Sequence, residues 1–293
     1  MRAVQQWLLA LLAAASAFAV VVVQAEPSER LAHQAEKKTG YAPVNGLKMY
    51  YEIGGEGKPA VYIHPIVSHC GLVPRLTTNR QWIAMDLQGH GRTADIDRAM
   101  TCEQHADDIA ALLKHLEIEE ADFFGDSFGG AIAVTMAVRH PGLVRRVVAY
   151  GSPLAPFPKE VATVVTADSD LVKWEREQYR KVAPDPRQWP TLVAKDLKSG
   201  IEWKGLAPDE LKAIKAPVLI ACGDHDLIPV ERCAELTRLI PNGQLTVIPD
   251  ASHFVLFSEP EKLLPTIAAF LDAPAAKSPL ATLKTGYYPG VTR

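Results

Sequence analysis

The sequence predicts an α/β domain: a doubly wound, mostly parallel sheet carrying a helical insertion. Three observations predict it. Short, continuous apolar runs recur along the chain, as strands buried on both faces of a parallel sheet require. Stretches with helical apolar spacing lie between them. The alternation stops over residues 152–212 and then resumes, which places an insertion between two parts of one sheet.

The first segment stands apart. Arg2 is the sole charge before Glu26, and Trp7 to Val23 is apolar apart from Ser16. With Val23-Gln24-Ala25 behind it, residues 1–25 read as a secretory signal cleaved after Ala25. Retention as an anchor is the alternative, because a run of about seventeen residues lies near the lower limit for a span. The expected product is an exported protein, periplasmic or secreted, with no stable membrane span once the signal is removed. Residues 26–43 read as a linker and 44–272 as the folded domain.

Within that domain Leu47–Ile53 alternates as a strand and leads into the turn Gly54-Gly55-Glu56-Gly57. Ala60–Ile63, Gln81–Met85, Ala121–Phe124 and Val144–Tyr150 follow as short buried strands. Thr101 and Gln104 suggest a capping box, followed by Ile109, Leu112, Leu113 and Leu116 at helical spacing. Phe128–His140 is the next helix, closed by Pro141. Residues 152–212 carry Pro153, Pro156, Pro158, Pro184, Pro186 and Pro190 together with Trp174, Tyr179, Trp189 and Trp203, and read as a mostly helical insertion. The alternation resumes with strand Pro217–Gly223, helix Pro229–Ile240 and strand Gln244–Ile248. Ser258 and Glu261 suggest a second capping box before the stripe Leu263, Leu264, Ile267, Phe270 and Leu271. Residues 273–293 form a proline-containing tail.

The net charge of −3 and the lack of a long basic run argue against nucleic acid as a partner. The four cysteines, Cys70, Cys102, Cys222 and Cys233, permit disulfides in an exported chain but form no recognisable framework, so their pairing stays open.

The sharpest motif is Gly125-Asp126-Ser127-Phe128-Gly129-Gly130, a G-x-S-x-G where a strand ends and a helix begins. There a serine sits on a tight turn, the helix N-terminus favours developing negative charge, and the Phe128 N–H can donate to an oxyanion. The competing reading is a glycine-rich turn that binds phosphate or nothing. A serine nucleophile needs a base, and the base needs an orienting acid. In chain order the acid comes from Asp224-His225-Asp226, after the strand Pro217–Gly223. Asp226 is preferred for its place in the loop, leaving Asp224 to orient that loop. The base is His253, after the strand Gln244–Ile248 and the last histidine in the chain.

These segments resemble the α/β-hydrolase fold superfamily over roughly residues 44–272. The resemblance is carried by Ile63-His64-Pro65, Asp86-Leu87-Gln88-Gly89-His90-Gly91-Arg92-Thr93, the Ser127 elbow, Gly223-Asp224-His225-Asp226 and Ser252-His253-Phe254. It implies a cofactor-free serine hydrolase in which Ser127, Asp226 and His253 act as a triad. The Asp86–Thr93 turn is structural in similar enzymes, so His90 is left out of catalysis. Relatives carry His-Gly where this chain has His64-Pro65. Proline fixes φ but leaves the next N–H intact, so Ile66 is the expected second oxyanion donor. Similar dehalogenases and epoxide hydrolases centre an Asp on the elbow, whereas here Asp126 merely flanks Ser127 and is expected at the pocket rim or against a neighbouring strand. His64, His69 and Cys70 share one loop; a metal reading is weak because no fourth ligand is evident, and a structural or solvent-facing role is expected. The expected substrate is a small carboxylic ester or lactone. The insertion is expected to cap Ser127 and to offer Phe157, Val161, Val164, Trp174, Tyr179 and Trp189 to an apolar pocket. The rivals are another reaction on the same triad (perhydrolysis, C–C bond hydrolysis or peptide-type hydrolysis) and a non-catalytic receptor.

Overall fold

The structure, a computed structural model, describes residues 37–65, 79–154 and 170–274. Among them one sheet is formed by β1 (Lys38–Val44), β2 (Leu47–Gly54), β3 (Lys58–Ile63), β4 (Arg80–Met85), β5 (Ala121–Asp126), β6 (Val144–Tyr150), β7 (Val218–His225) and β8 (Gly243–Ser252). The order across the sheet is β1-β2-β4-β3-β5-β6-β7-β8. The pairs β1–β2 and β2–β4 are antiparallel, and every pair from β3 onward is parallel.

Strand β5 sits mid-sheet with all six residues buried. Its alternation divides the core. Phe123 joins the layer under α1 (Cys102–His115), α2 (Phe128–Arg139) and α6 (Val230–Leu239). Phe124 joins the opposite layer under α7 (Val255–Ser258) and α8 (Pro260–Asp272). Both faces are thus covered, as a parallel sheet requires. Each large side chain fully buried this way contributes roughly 1.5–3 kcal/mol. Between β6 and β7 the described part of the insertion is helical: α3 (Asp170–Val182), a 3₁₀ turn at Pro186–Gln188, α4 (Trp189–Glu202) and α5 (Pro208–Ala213). It has an apolar cluster of its own, comprising Met100 from the core and Val172, Tyr179, Trp189 and Leu192.

Two expectations need correction. Residues 38–43 were expected in a linker, yet with Val44 they form β1, paired from Lys38 with Ile53 to Val44 with Leu47. Gly40 and Pro43 mask the strand in the sequence, and an edge strand accommodates proline because one side of it needs no partner. The Ser258–Glu261 capping box does not form. Ser258 closes α7, and Pro260 opens α8 with Glu259 as its N-cap, without a side-chain cap bond. Proline suits the first helical position because its missing N–H is not needed there, and this moves the helix start past Ser258. The first box forms by half. Thr101 Oγ1 accepts the Gln104 N–H at 3.1 Å, but the Gln104 side chain turns to Asp108.

Among the described residues no helix is long and apolar enough to cross a membrane. Cys102, Cys222 and Cys233 are buried free thiols, and those of Cys222 and Cys233 share a hydrogen bond. Cys70 lies outside the described residues, as do the expected signal and the C-terminal segment from 275 onward.

Candidate active site

Ser127 sits between the end of β5 and the start of α2, with φ 52° and ψ −124°. This is a left-handed conformation that a non-glycine residue adopts only when its surroundings impose it. Close packing imposes it here. The Ser127 N–H donates to the Tyr150 carbonyl at 2.8 Å, tying the turn to the end of β6. A methyl group on Gly125 would lie 2.2 Å from the Gly129 backbone, and one on Gly129 would lie 2.1 Å from the Ile63 carbonyl. Only glycine lets α2 enter between β5 and the exit of β3. The Phe128 N–H is the first of α2 and opens the positive end of the helix beside Ser127.

Asp226 and His253 meet across neighbouring loops. His253 Nδ1 lies 2.8 Å from Asp226 Oδ1, and the Asp226 side chain is fully buried. Asp226 also accepts the N–H groups of Ile228 at 3.1 Å and Gly223 at 3.4 Å, so its orientation is fixed from both sides. With Nδ1–H given to the carboxylate, His253 keeps its Nε2 lone pair available. Asp224 does something else: its Oδ1 accepts the Ala251 N–H at 3.1 Å, holding the approach to His253. The N–H groups of Asp250 and Ala251 keep the Asp224 carboxyl below the ordinary carboxylate range.

The end of β6 links the elbow to this pair. Gly151 follows Tyr150 with φ +54°, and a methyl group there would lie 2.9 Å from His253 Nδ1 and 3.0 Å from Asp226 Oδ2. The Tyr150 hydroxyl donates to the Ser252 carbonyl at 2.6 Å, immediately before His253. Burial, and then the Asp226 charge, push that hydroxyl well above the ordinary phenol range. Ser127 and the residue before His253 are thus both tied to Tyr150, and Gly151 leaves the room that His253 and Asp226 need. Tyr150 and Gly151 were missed in the sequence, where they read as a strand end and a turn.

The family model described as the alpha/beta hydrolase family matches residues 61–266. This chain belongs to the alpha/beta hydrolase family. It is accordingly an enzyme of the hydrolase type. It is 28% identical over 257 residues to a 2-hydroxymuconate semialdehyde hydrolase from a Pseudomonas species, covering 77% of this chain and 91% of that one. It is 26% identical over 248 residues to a non-heme haloperoxidase from Rhodococcus erythropolis, covering 71% and 90%. Among solved structures, an N-acyl homoserine lactone degrading enzyme superposes with a TM-score of 0.61 at 25% identity, covering 80% of this chain and 100% of the other.

The remaining sequence-derived residues divide clearly. Ile66, His69, Cys70, Phe157, Val161 and Val164 lie outside the described residues. His64 is buried and accepts the Leu87 N–H on Nε2 at 3.2 Å. His90 is buried too, joining the Gln88 carbonyl and Asp196 at 2.9 Å each, so this hydrolase uses it to fasten α4 to the core. Tyr179 and Trp189 are buried against each other, with ring centroids 5.4 Å apart. Trp174 is exposed. Trp203, at the end of α4, meets the Phe128 ring edge-on at 5.9 Å, bringing the insertion against the elbow.

Proposed function

We propose that this hydrolase cleaves a small carboxylic ester or lactone through an acyl-enzyme on Ser127. The observation that carries the reading is the His253–Asp226 hydrogen bond at 2.8 Å, anchored with the strained Ser127 turn on the end of β6. Ser127 Oγ attacks the carbonyl carbon while His253 Nε2 takes its proton. Asp226 holds the imidazole and stabilises the imidazolium that forms. The Phe128 N–H donates to the oxyanion, with the Ile66 N–H as its partner. His253 then protonates the leaving alkoxide. Water, activated by the same imidazole, resolves the acyl-enzyme, and no cofactor takes part. The insertion caps this site. Leu227 and Phe254, which follow the acid and the base directly, are both exposed and supply apolar surface at its rim.

The likeness to a lactone-degrading enzyme supports the ester or lactone reading. The semialdehyde hydrolase relative favours a second one, attack by the same triad on the carbonyl of an oxo acid. A panel of p-nitrophenyl esters of graded chain length, simple lactones and an oxo acid separates them. Ester or lactone turnover that disappears in Ser127→Ala supports the first reading. Turnover of the oxo acid alone replaces it with the second.

A further inference from the structure

Helix α4 carries Leu192, Lys195 and Asp196 on one face, at the three- and four-residue spacing that sets side chains side by side. That face lies on the turns that follow β4. A methyl group on Gly89 would lie 3.4 Å from Leu192. Lys195 Nζ donates to Asp95 Oδ2 at 2.7 Å and to the Ile96 and Arg98 carbonyls at 2.9 and 3.2 Å. Asp196 Oδ2 lies 2.9 Å from His90 Nε2, and His90 Nδ1 lies 2.9 Å from the Gln88 carbonyl. The His90 side chain is 2% exposed and that of Asp196 13%, so water does not readily replace either partner. A carbonyl and a carboxylate only accept. Both ring nitrogens must therefore donate, which makes the ring an imidazolium. The neighbouring buried histidines differ. The His64 ring, with its centroid 4.9 Å from that of His90, accepts the Leu87 N–H on Nε2. Burial, and then the His90 charge, push His105 on α1 down to about 3.

We propose that His90 and Asp196 form a proton-operated latch between the insertion and the core, closed while the ring carries two protons and loosened when it carries one. A neutral ring donates to the Gln88 carbonyl or to Asp196 but not to both, and its bare nitrogen turns a lone pair on an acceptor. The other charged or titratable groups around the pair are Glu175 on α3, Asp86 with its partner Arg92, Arg98, His64 after β3 and His105 on α1. Burial works against the charge on the ring. Asp196, and after it the Gln88 carbonyl and Asp86, outweigh that and hold His90 above the ordinary histidine value of 6.5. The stabilisation from the latch is therefore complete below the ordinary value and is lost as pH rises through the raised one. Lys195 holds the same face independently of the ring, so α4 loosens rather than departs. The effect reaches the elbow, because α4 ends at Trp203, whose ring meets Phe128. The latch is built from α4 and the turns after β4 alone and does not depend on the reaction assigned to Ser127.

The test uses the full folded protein and two readouts that need no turnover. The first is nitrogen NMR of protein labelled on histidine, with the His90 signals identified by their loss in His90→Gln. Both His90 ring nitrogens should carry protons at about pH 6, and one should lose its proton on the alkaline side. The second is hydrogen-exchange protection of the α4 amides and the Trp203 N–H, corrected for intrinsic exchange. In the wild type it should fall about tenfold between about pH 6 and about pH 9, as loss of a charge-assisted hydrogen bond implies. Asp196→Asn supplies an amide that donates to the lone pair of a neutral ring. The latch then holds with one ring proton, and protection should stay level over the same range. Glu175→Gln removes the neighbouring carboxyl and should keep the fall. A His90 ring with a single proton at about pH 6, level α4 protection in the wild type, an equal fall in Asp196→Asn, or loss of the fall in Glu175→Gln would each overturn the latch and leave His90 a buried structural histidine. If Asp196→Asn does not fold, the two wild-type measurements decide.

Discussion

A methyl group at Gly151 would press on both His253 Nδ1 and Asp226 Oδ2, and the backbone there has φ +54°. Gly151→Ala should therefore cost about 1–2 kcal/mol in stability from the conformation alone. It should also lower kcat by about a hundredfold by displacing the dyad. Thermal unfolding and steady-state kinetics on one preparation check both. The two loop aspartates give a sharper contrast. Asp226→Asn leaves His253 without the carboxylate that fixes its tautomer, and kcat should fall roughly 10³–10⁴-fold. Asp224→Asn weakens only the clamp on Ala251, and less than a tenfold loss is expected on the same ester. Equal losses from the two would mean that the acid has been misassigned. Residue type and chain order alone singled out Ser127 and His253. The choice of Asp226 over Asp224 was not fixed by spacing, since both follow the same strand. It follows from where β7 ends: Asp224 still belongs to the strand and reaches across to β8, while Asp226 lies beyond it and turns inward.

The insertion helices pose an electrostatic question of their own. Glu175 on α3 is buried, and burial, reinforced by the Asp196 charge, raises its carboxyl to about 7 from an ordinary 4.5. Below pH 4.5 the group is protonated in both folded and unfolded chains. Between 4.5 and 7 the unfolded chain releases a proton that the folded one retains, so stability falls as pH rises through this window. Above it the penalty is constant, at most about 3 kcal/mol. Glu175→Gln should match the wild type in denaturant unfolding at pH 4 and be the more stable protein at pH 8. An unchanged difference across that range would contradict this account of α3. Burial of Glu175 was not legible in the sequence, because Glu175 stands among the charged residues Lys173, Arg176 and Glu177 of the helix Asp170–Val182. The central elements were legible for the opposite reason. In β5 and β6 nearly every residue is buried, so Phe123-Phe124 and Val147–Tyr150 mark the strands even though Asp122 and Arg146 are buried among them. Strand β1 pairs on one side only and keeps half its residues exposed, so its apolar signal is weak and Pro43 argues against it.

At the scale of the whole chain, the order of strands and helices carries the fold. Reading it requires only that buried parallel strands alternate with amphipathic helices, and the interruption between β6 and β7 marks the insertion without saying what it covers. Convergence of the site on Tyr150 and Gly151 was out of reach of the sequence, because it depends on β6 lying between β5 and β7 in the sheet. The N-terminal segment leads to a separate prediction: expression in a bacterial host with an export pathway should yield a mature chain beginning at Glu26, read by N-terminal sequencing. A chain retaining Met1 and the apolar run in the membrane fraction would favour the anchor. The central claim, that Ser127 is the nucleophile, is tested most directly by covalent capture. The intact protein is treated with a fluorophosphonate, weighed by mass spectrometry and digested to locate the label. The account predicts one phosphonyl group per chain, on Ser127, with no labelling of Ser127→Ala and strongly slowed labelling of His253→Ala. A folded wild-type protein that stays unlabelled, or a label on another residue, would contradict it.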